Sequence, residues 1–114
     1  AINPTDLTTV DRITDFVSGT DKIVLSVGGT LANFELGVVV EANFGSAKTA
    51  AEAAFANPGV RYFFSEIAAG QVDGDAVNDG VLFFDLNGDA VVDGAIALVG
   101  VTSMAANDIV NSIV

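Results

Sequence analysis

The sequence predicts a mainly β fold, an antiparallel β-sandwich or jelly-roll-like meander with one short α-helix at about residues 46–57. Two observations carry this prediction. Apolar and polar residues alternate with a period of two in short runs that Gly, Asn and Asp interrupt. One alanine-rich stretch departs from that alternation and has the composition of a helix. The 114 residues suit a single domain spanning 1–114.

Five strands are predicted from the alternation. The first two cover residues 23–27 and 34–41, with a turn at Gly28-Gly29 between them, and each is expected to bury one face. Three more cover residues 60–67, 81–86 and 95–101. Their short connections are rich in Asp and Gly, which favours a meander of hairpins.

The predicted helix has both ends marked in the sequence. Ser46 is a plausible N-cap, and Asn57-Pro58-Gly59 ends the helical stretch. Helical spacing places Phe55 on the alanine stripe that faces the sheet. Lys48 and Glu52 are expected to form an exposed pair four residues apart.

The charge balance excludes several functions. With 15 acidic and 4 basic residues the net charge is −11, which disfavours binding to nucleic acid or to an anionic membrane surface. No apolar run approaches the roughly 18 residues of a membrane span, so membrane insertion is not expected. The chain has no His and no Cys, so imidazole- or thiolate-based metal sites and catalytic dyads are excluded. Without any carboxylate pair at a recognisable catalytic spacing, an enzyme is not expected.

An acidic turn motif occurs twice. Residues 74–80 read GDAVNDG and residues 88–94 read GDAVVDG, a repeat of 14 residues. Oxygen-bearing groups fall at positions 1, 3, 5, 7 and 9 of a loop, which is the spacing that hard cations prefer. The second copy offers Asp85, Asn87, Asp89, the carbonyl of Val91 and Asp93; the first offers Gln71, Asp73, Asp75 and Asp79. Six carboxylates and no basic residue lie between positions 71 and 93, so Ca²⁺ is the expected ligand.

The loop departs from an EF-hand, and a plainer interpretation remains open. The position of the bidentate Glu holds Ile96, and the position of the conserved turn glycine holds Ala90. The shorter set of ligands predicts a dissociation constant of about 10⁻⁴ to 10⁻³ M, so the site would fill only outside the cell. Alternatively, Asn-Gly and Asp-Gly form hairpin turns and bond their own amides without a metal.

Both ends of the chain carry a family resemblance. Residues 11–26 resemble the D-x-I-x-D-F-x-x-G-x-D-K-I-x-L-S segment that follows the nonapeptide β-roll in RTX (repeats-in-toxin) proteins, calcium-dependent proteins of bacterial type I secretion. Residues 81–101 resemble the final hairpin of that family, and residues 102–110 its terminal segment. Residues 28–60 match poorly, and no GGxGxDxxx repeat is present. Either a β-roll lies upstream in a longer chain, or the chain is a stand-alone relative.

The resemblance implies a β-rich C-terminal domain that caps a calcium roll and carries an uncleaved export signal. Asp108, Ile109 and Val110 fit that signal, although residues 111–114 nearly repeat it. The resemblance also makes Asp11, Asp15 and Asp21 possible further calcium ligands. Capping of the turn at residues 18–20, or surface ion pairing, would explain the same aspartates without a metal.

We therefore expect a non-catalytic calcium-binding domain that is secreted, extracellular or at the surface of a bacterial cell. Its expected partners are calcium, the type I secretion machinery and an upstream β-roll. The alternative is a self-assembling structural subunit of a surface layer, filament or adhesive matrix with calcium-stabilised contacts.

Overall fold

In the computed structural model, a five-stranded mixed sheet forms the centre of the protein. The structure describes residues 10–72, 74 and 76–111. The elements in chain order are β1 (Asp11–Ile13), β2 (Ile23–Val24), β3 (Phe34–Glu41), α1 (Phe44–Phe55), β4 (Tyr62–Ile67), β5 (Asp79–Phe84), β6 (Gly94–Leu98), a 3₁₀ helix (Ala106–Asp108) and β7 (Ile109–Val110). A mainly β fold with one short helix is confirmed.

The strand order is β1-β6-β5-β4-β3, and β2 and β7 form a separate two-stranded sheet. The predicted hairpins are present, because β4 pairs with β5 and β5 with β6 in antiparallel orientation. The other pairs, β3 with β4 and β1 with β6, are parallel. Parallel neighbours need a crossover, and α1 supplies it between β3 and β4. The sheet is therefore mixed, and a sandwich or jelly roll is not confirmed.

The inner strands β4 and β5 are buried on both faces. On one face α1 packs against β4 and β5 through Phe55, Phe63 and Phe83. On the other face Tyr62, Phe64 and Leu82 contact residues from both ends of the chain, including Phe16 and Ile109. Residues next to each other in β4 thus serve opposite cores, as the period-two geometry of a strand requires.

The start of α1 differs from the expected N-cap. Asn43 is the N-cap, and its side-chain oxygen accepts a hydrogen bond from the Ser46 amide at 2.9 Å. Ser46 occupies the third helical position and closes a capping box with Asn43. The prediction was wrong by one turn because both residues are good caps, and Phe44 gains burial when the helix begins before it.

β3 also departs from its predicted half-burial. Leu36 pairs with Phe64, and the next paired residue, Val40, lies opposite Glu66. Three residues of β3 therefore lie between these pairs where β4 has only one. The intervening segment bulges from the edge of the sheet, which breaks the alternation. Val38 is consequently 95% exposed, and its neighbours Val39 and Val40 are also exposed.

Candidate metal centre

The second acidic turn connects β5 to β6, and we name residues 85–93 the acidic loop. One carboxylate oxygen each from Asp85, Asp89 and Asp93 lies within 4.8 Å of the other two. Asp85 is fully buried, Asp93 is half-buried and Asp89 is exposed. The three carboxylates therefore meet at the surface end of a hairpin, with the deepest one anchored in the protein.

The backbone of the acidic loop winds around these side chains. One Asp85 carboxylate oxygen accepts a hydrogen bond from the Gly88 amide and the other from the Ala90 amide, both at 2.9 Å. An Asp93 oxygen accepts one from the Leu86 amide at 2.8 Å. The loop amides point inward and partly offset the negative charge of the carboxylates.

Two smaller contacts complete the winding. The side-chain oxygen of Asn87 accepts a hydrogen bond from the Asp89 amide at 3.1 Å, and Asp89 accepts one from the Val91 amide at 3.0 Å. These are the Asx-turn contacts of the plainer interpretation. Asp85, Asp89 and Asp93, at positions 1, 5 and 9, nevertheless bring carboxylate oxygens within 4.8 Å of one another, which the calcium interpretation also requires.

The loop contains two left-handed residues. Gly88 has φ 79° and Ala90 has φ 65°. Ala90 occupies the loop position where an EF-hand carries glycine. A residue with a Cβ is disfavoured in this conformation by about 1–2 kcal/mol, so the rest of the loop holds Ala90 there.

Two residues from elsewhere in the fold reach the acidic loop. The Arg61 guanidinium donates to the Asp85 carbonyl at 3.4 Å. Glu52 of α1 accepts a hydrogen bond from the Val92 amide at 3.0 Å. The expected surface pairing of Glu52 with Lys48 is not present, since Lys22 and Asp108 form the one ion pair within the described ranges. Sequence reasoning missed both contacts because strand and helix packing creates them.

The first copy of the motif is only partly described. Asp73 and Asp75 lie outside the described residues, and Gln71 is exposed. Asp79 is buried at the start of β5, and its carboxylate accepts a hydrogen bond from the Gly100 amide. In the described residues of this copy, Asp79 thus stabilises the turn that follows β6 by accepting this hydrogen bond.

The N-terminal aspartates Asp11, Asp15 and Asp21 are not part of the carboxylate group of the acidic loop. Asp11 and Asp15 are exposed, and the Asp21 carboxylate accepts a hydrogen bond from the Val17 amide at 2.8 Å. Within residues 10–72, 74 and 76–111, the acidic loop holds the one group of three or more acidic side chains close enough to share an ion. Asp21 therefore caps the turn at residues 17–21, and a metal role for Asp11, Asp15 and Asp21 stays a prediction.

The residues of the expected export signal are part of the fold. Asp108 is fully buried, Ile109 is 1% exposed, and β7 pairs in parallel with β2 through Ile109 and Ile23. The Asp108 carboxylate accepts hydrogen bonds from the Ser18 hydroxyl at 2.6 Å, the Gly19 amide at 2.9 Å and the Ala105 amide at 2.9 Å. The terminal segment is thus attached to the segment that begins the RTX resemblance.

The electrostatics of Asp108 follow from these contacts. Burial alone would raise the pKa of its carboxyl group, because a buried charge loses hydration. The hydrogen bonds from Ala105, Ser18 and Gly19, together with the Lys22 ammonium 4.0 Å away, outweigh burial and lower the pKa. Asp108 is therefore a charged anchor in the folded protein at neutral pH.

No known protein family, curated protein or solved structure matches this chain. Across the described residues, every helix is too short or too polar to cross a lipid bilayer.

Proposed function

We propose that this protein is a non-catalytic, extracellular calcium-binding domain of RTX type that folds on calcium after type I export. The observation that carries the proposal is the convergence of three carboxylates in the acidic loop, with oxygens within 4.8 Å of one another. The resemblance of residues 11–26 and 81–110 to the RTX ending supports it independently of that geometry.

Charge repulsion gives the loop a reason to bind a cation. Two unit charges 4.8 Å apart repel by about 1 kcal/mol in water and by about 3.5 kcal/mol at an effective dielectric constant near 20. The Arg61 guanidinium lies close by, but it donates a hydrogen bond to the Asp85 carbonyl and forms no ion pair with the three carboxylates. A divalent ion would convert this repulsion into attraction.

The loop chemistry favours Ca²⁺ over softer metals. Its donors are all oxygens, from Asp85, Asn87, Asp89, Asp93 and the Val91 carbonyl, with water to complete six to eight ligands. The set lacks a bidentate glutamate, which supports a dissociation constant of about 10⁻⁴ to 10⁻³ M. Millimolar extracellular calcium would then fill the site, and binding to the folded state would stabilise the domain.

Burial of the terminal segment fits an order in which export comes before folding. An export signal at Asp108, Ile109 and Val110 would be accessible only in the unfolded chain, because the fold buries Asp108 and Ile109. Low cytosolic calcium would keep the acidic loop unliganded and the domain less stable, and calcium outside would favour the folded form. Deletion of residues 108–114 should abolish export by a type I system, and export of the truncated chain at an undiminished rate would refute the signal.

Isothermal titration of calcium into the protein tests the proposal directly. We expect saturable binding in the submillimolar to millimolar range, with one ion for the acidic loop and a second if the first copy also binds. Asp89→Asn should weaken binding at least tenfold, because it removes an exposed carboxylate yet keeps an oxygen that can accept from Val91. Glu35→Gln removes a carboxylate on β3 and should leave calcium binding unchanged. Absence of heat and of thermal stabilisation at 10 mM calcium would refute the metal site.

A self-assembling structural subunit is the second candidate, and the exposed apolar side chains of Leu31 and Val17, which lie outside β3, favour it. Light scattering separates the two candidates. A secretion module should only become more compact when calcium is added, whereas a subunit of a layer or filament should grow in particle size.

A further inference from the structure

An open groove separates β3 from α1 on the side of the molecule where the strand bulges. Its volume is about 310 Å³, at the lower limit of the range for ligand-binding pockets. Phe63 forms its floor, Leu36, Val38 and Val39 form the strand wall, and Ala50 and Ala53 form the helix wall. The interior is therefore apolar and has room for one or two large apolar side chains.

The sequence explains why this groove stays open. Alanines on α1 are too short to fill the space between helix and strand. A Cβ at Gly37 would lie 3.1 Å from the Phe63 ring and from the Phe64 carbonyl oxygen, so glycine allows the strand to approach β4 at that point. The bulge then carries Val38 away from the sheet and leaves it 95% exposed. Small residues and the bulge together leave a large apolar surface exposed to solvent.

The rim of the groove is acidic. Glu35 and Glu41 both line it, and none of its lining residues is Lys or Arg. Neither glutamate belongs to an ion pair within the described part of the chain. An occupant that places positive charge at the rim would gain electrostatic attraction, and an anionic occupant would be repelled.

Two other occupants fit less well. A second copy of this chain brings the same two carboxylates and a net charge of −11, so contact between two such grooves sets like charges together. Simple strand addition to β3 is hindered because the bulge between Leu36 and Val40 interrupts the regular row of edge hydrogen-bonding groups. Recognition therefore depends on the groove and its rim.

We propose that this groove binds a protein segment in which one or two apolar side chains are flanked by Lys or Arg. The apolar side chains enter above Phe63, between Val39 and Ala53, and the basic side chains contact Glu35 and Glu41 at the rim. This site is separate from the acidic loop, since no residue of that loop lines the groove.

The test uses a fluorescein-labelled peptide of sequence Lys-Leu-Leu-Lys with blocked termini, measured by fluorescence polarisation in calcium-containing buffer, in which the domain is folded. We expect saturable binding that weakens as salt increases, because the rim contribution is electrostatic. The matched peptide Glu-Leu-Leu-Glu should bind at least tenfold more weakly. Equal binding of the two peptides would refute the role of the rim.

Variants locate the binding on the protein. The double variant Glu35→Gln, Glu41→Gln should weaken binding of the lysine peptide at least tenfold. The control double variant Asp11→Asn, Asp15→Asn changes the net charge by the same amount and should leave peptide binding unchanged. Ala53→Leu fills the groove with a side chain that suits a helix and should also abolish binding. Equal losses in both double variants, or unchanged binding by Ala53→Leu, would overturn the proposal. So would a concentration-dependent dimer in sedimentation that excludes the peptide, since the occupant would then be a second copy.

Discussion

The Asp108 carboxylate accepts a hydrogen bond from the Gly19 amide at 2.9 Å, between residues 89 positions apart in the chain. The same carboxylate accepts one from the Ser18 hydroxyl, and Lys22 donates to the Asn107 carbonyl at 3.0 Å. β2 and β7 pair just beyond this contact. The two ends of the described chain thus join around one buried charge and cover a face of the central sheet.

Asp108→Asn should destabilise the protein by about 2–3 kcal/mol. The amide keeps one acceptor oxygen, but it loses the charge and places an NH₂ group among donors, and hydrogen bonds to charged groups contribute about 1.5–3 kcal/mol. Urea denaturation measures the change. Asp15→Asn, on an exposed side chain of the same chemistry, is the control and should alter stability by less than about 0.5 kcal/mol.

The contribution of Asp108 should depend on pH in one direction. Because the fold lowers its pKa, its stabilisation is fully present above the ordinary aspartate pKa of about 3.9 and is lost as pH falls through the folded value. The stability difference between wild type and Asp108→Asn should therefore be constant from about pH 7 to pH 5 and shrink below about pH 4. If the stability difference between wild type and Asp108→Asn instead grew as the pH fell, Asp108 would not be stabilising the fold as a charged carboxylate.

Ala90→Gly should stabilise the protein by about 0.5–1 kcal/mol. Removing the Cβ at φ 65° relieves a strain of about 1–2 kcal/mol, which exceeds the added backbone entropy of glycine in the unfolded chain. The matched substitution Ala53→Gly, at an exposed position inside α1, should instead destabilise by about 1 kcal/mol. Thermal melts of the two variants should shift in opposite directions.

Gly80→Ala should destabilise by about 3 kcal/mol. A Cβ at this position in β5 would overlap the Phe64 ring and lie 2.5 Å from the Val101 carbonyl oxygen, so a fully buried ring and a backbone segment would have to move. Gly28→Ala is the control, since its nearest contacts would be an ordinary 3.7 Å. Comparable melting temperatures for the two variants would contradict this prediction, because the Phe64 ring and the Val101 backbone would then accommodate the added Cβ at little cost.

The sequence predicted the parts of the fold that depend on neighbouring residues. The alternation from Tyr62 to Leu98 and its Asp-rich turns specify two successive hairpins, and both are present. The alanine-rich stretch specifies a helix, and Phe55 anchors it as predicted. The acidic loop was visible for the same reason, since all of its oxygen donors come from nine consecutive residues, 85–93.

Tertiary packing decided the rest. β1 and β7 are three and two residues long, too short to show a pattern, and each exists because a distant strand pairs with it. Residue spacing could not show that Asp108 would be buried, that Glu52 would reach the acidic loop or that β3 would bulge at an edge. Local sequence determines which elements form and which turns carry oxygen donors; burial and long-range pairing determine which charges become anchors and which apolar side chains stay exposed.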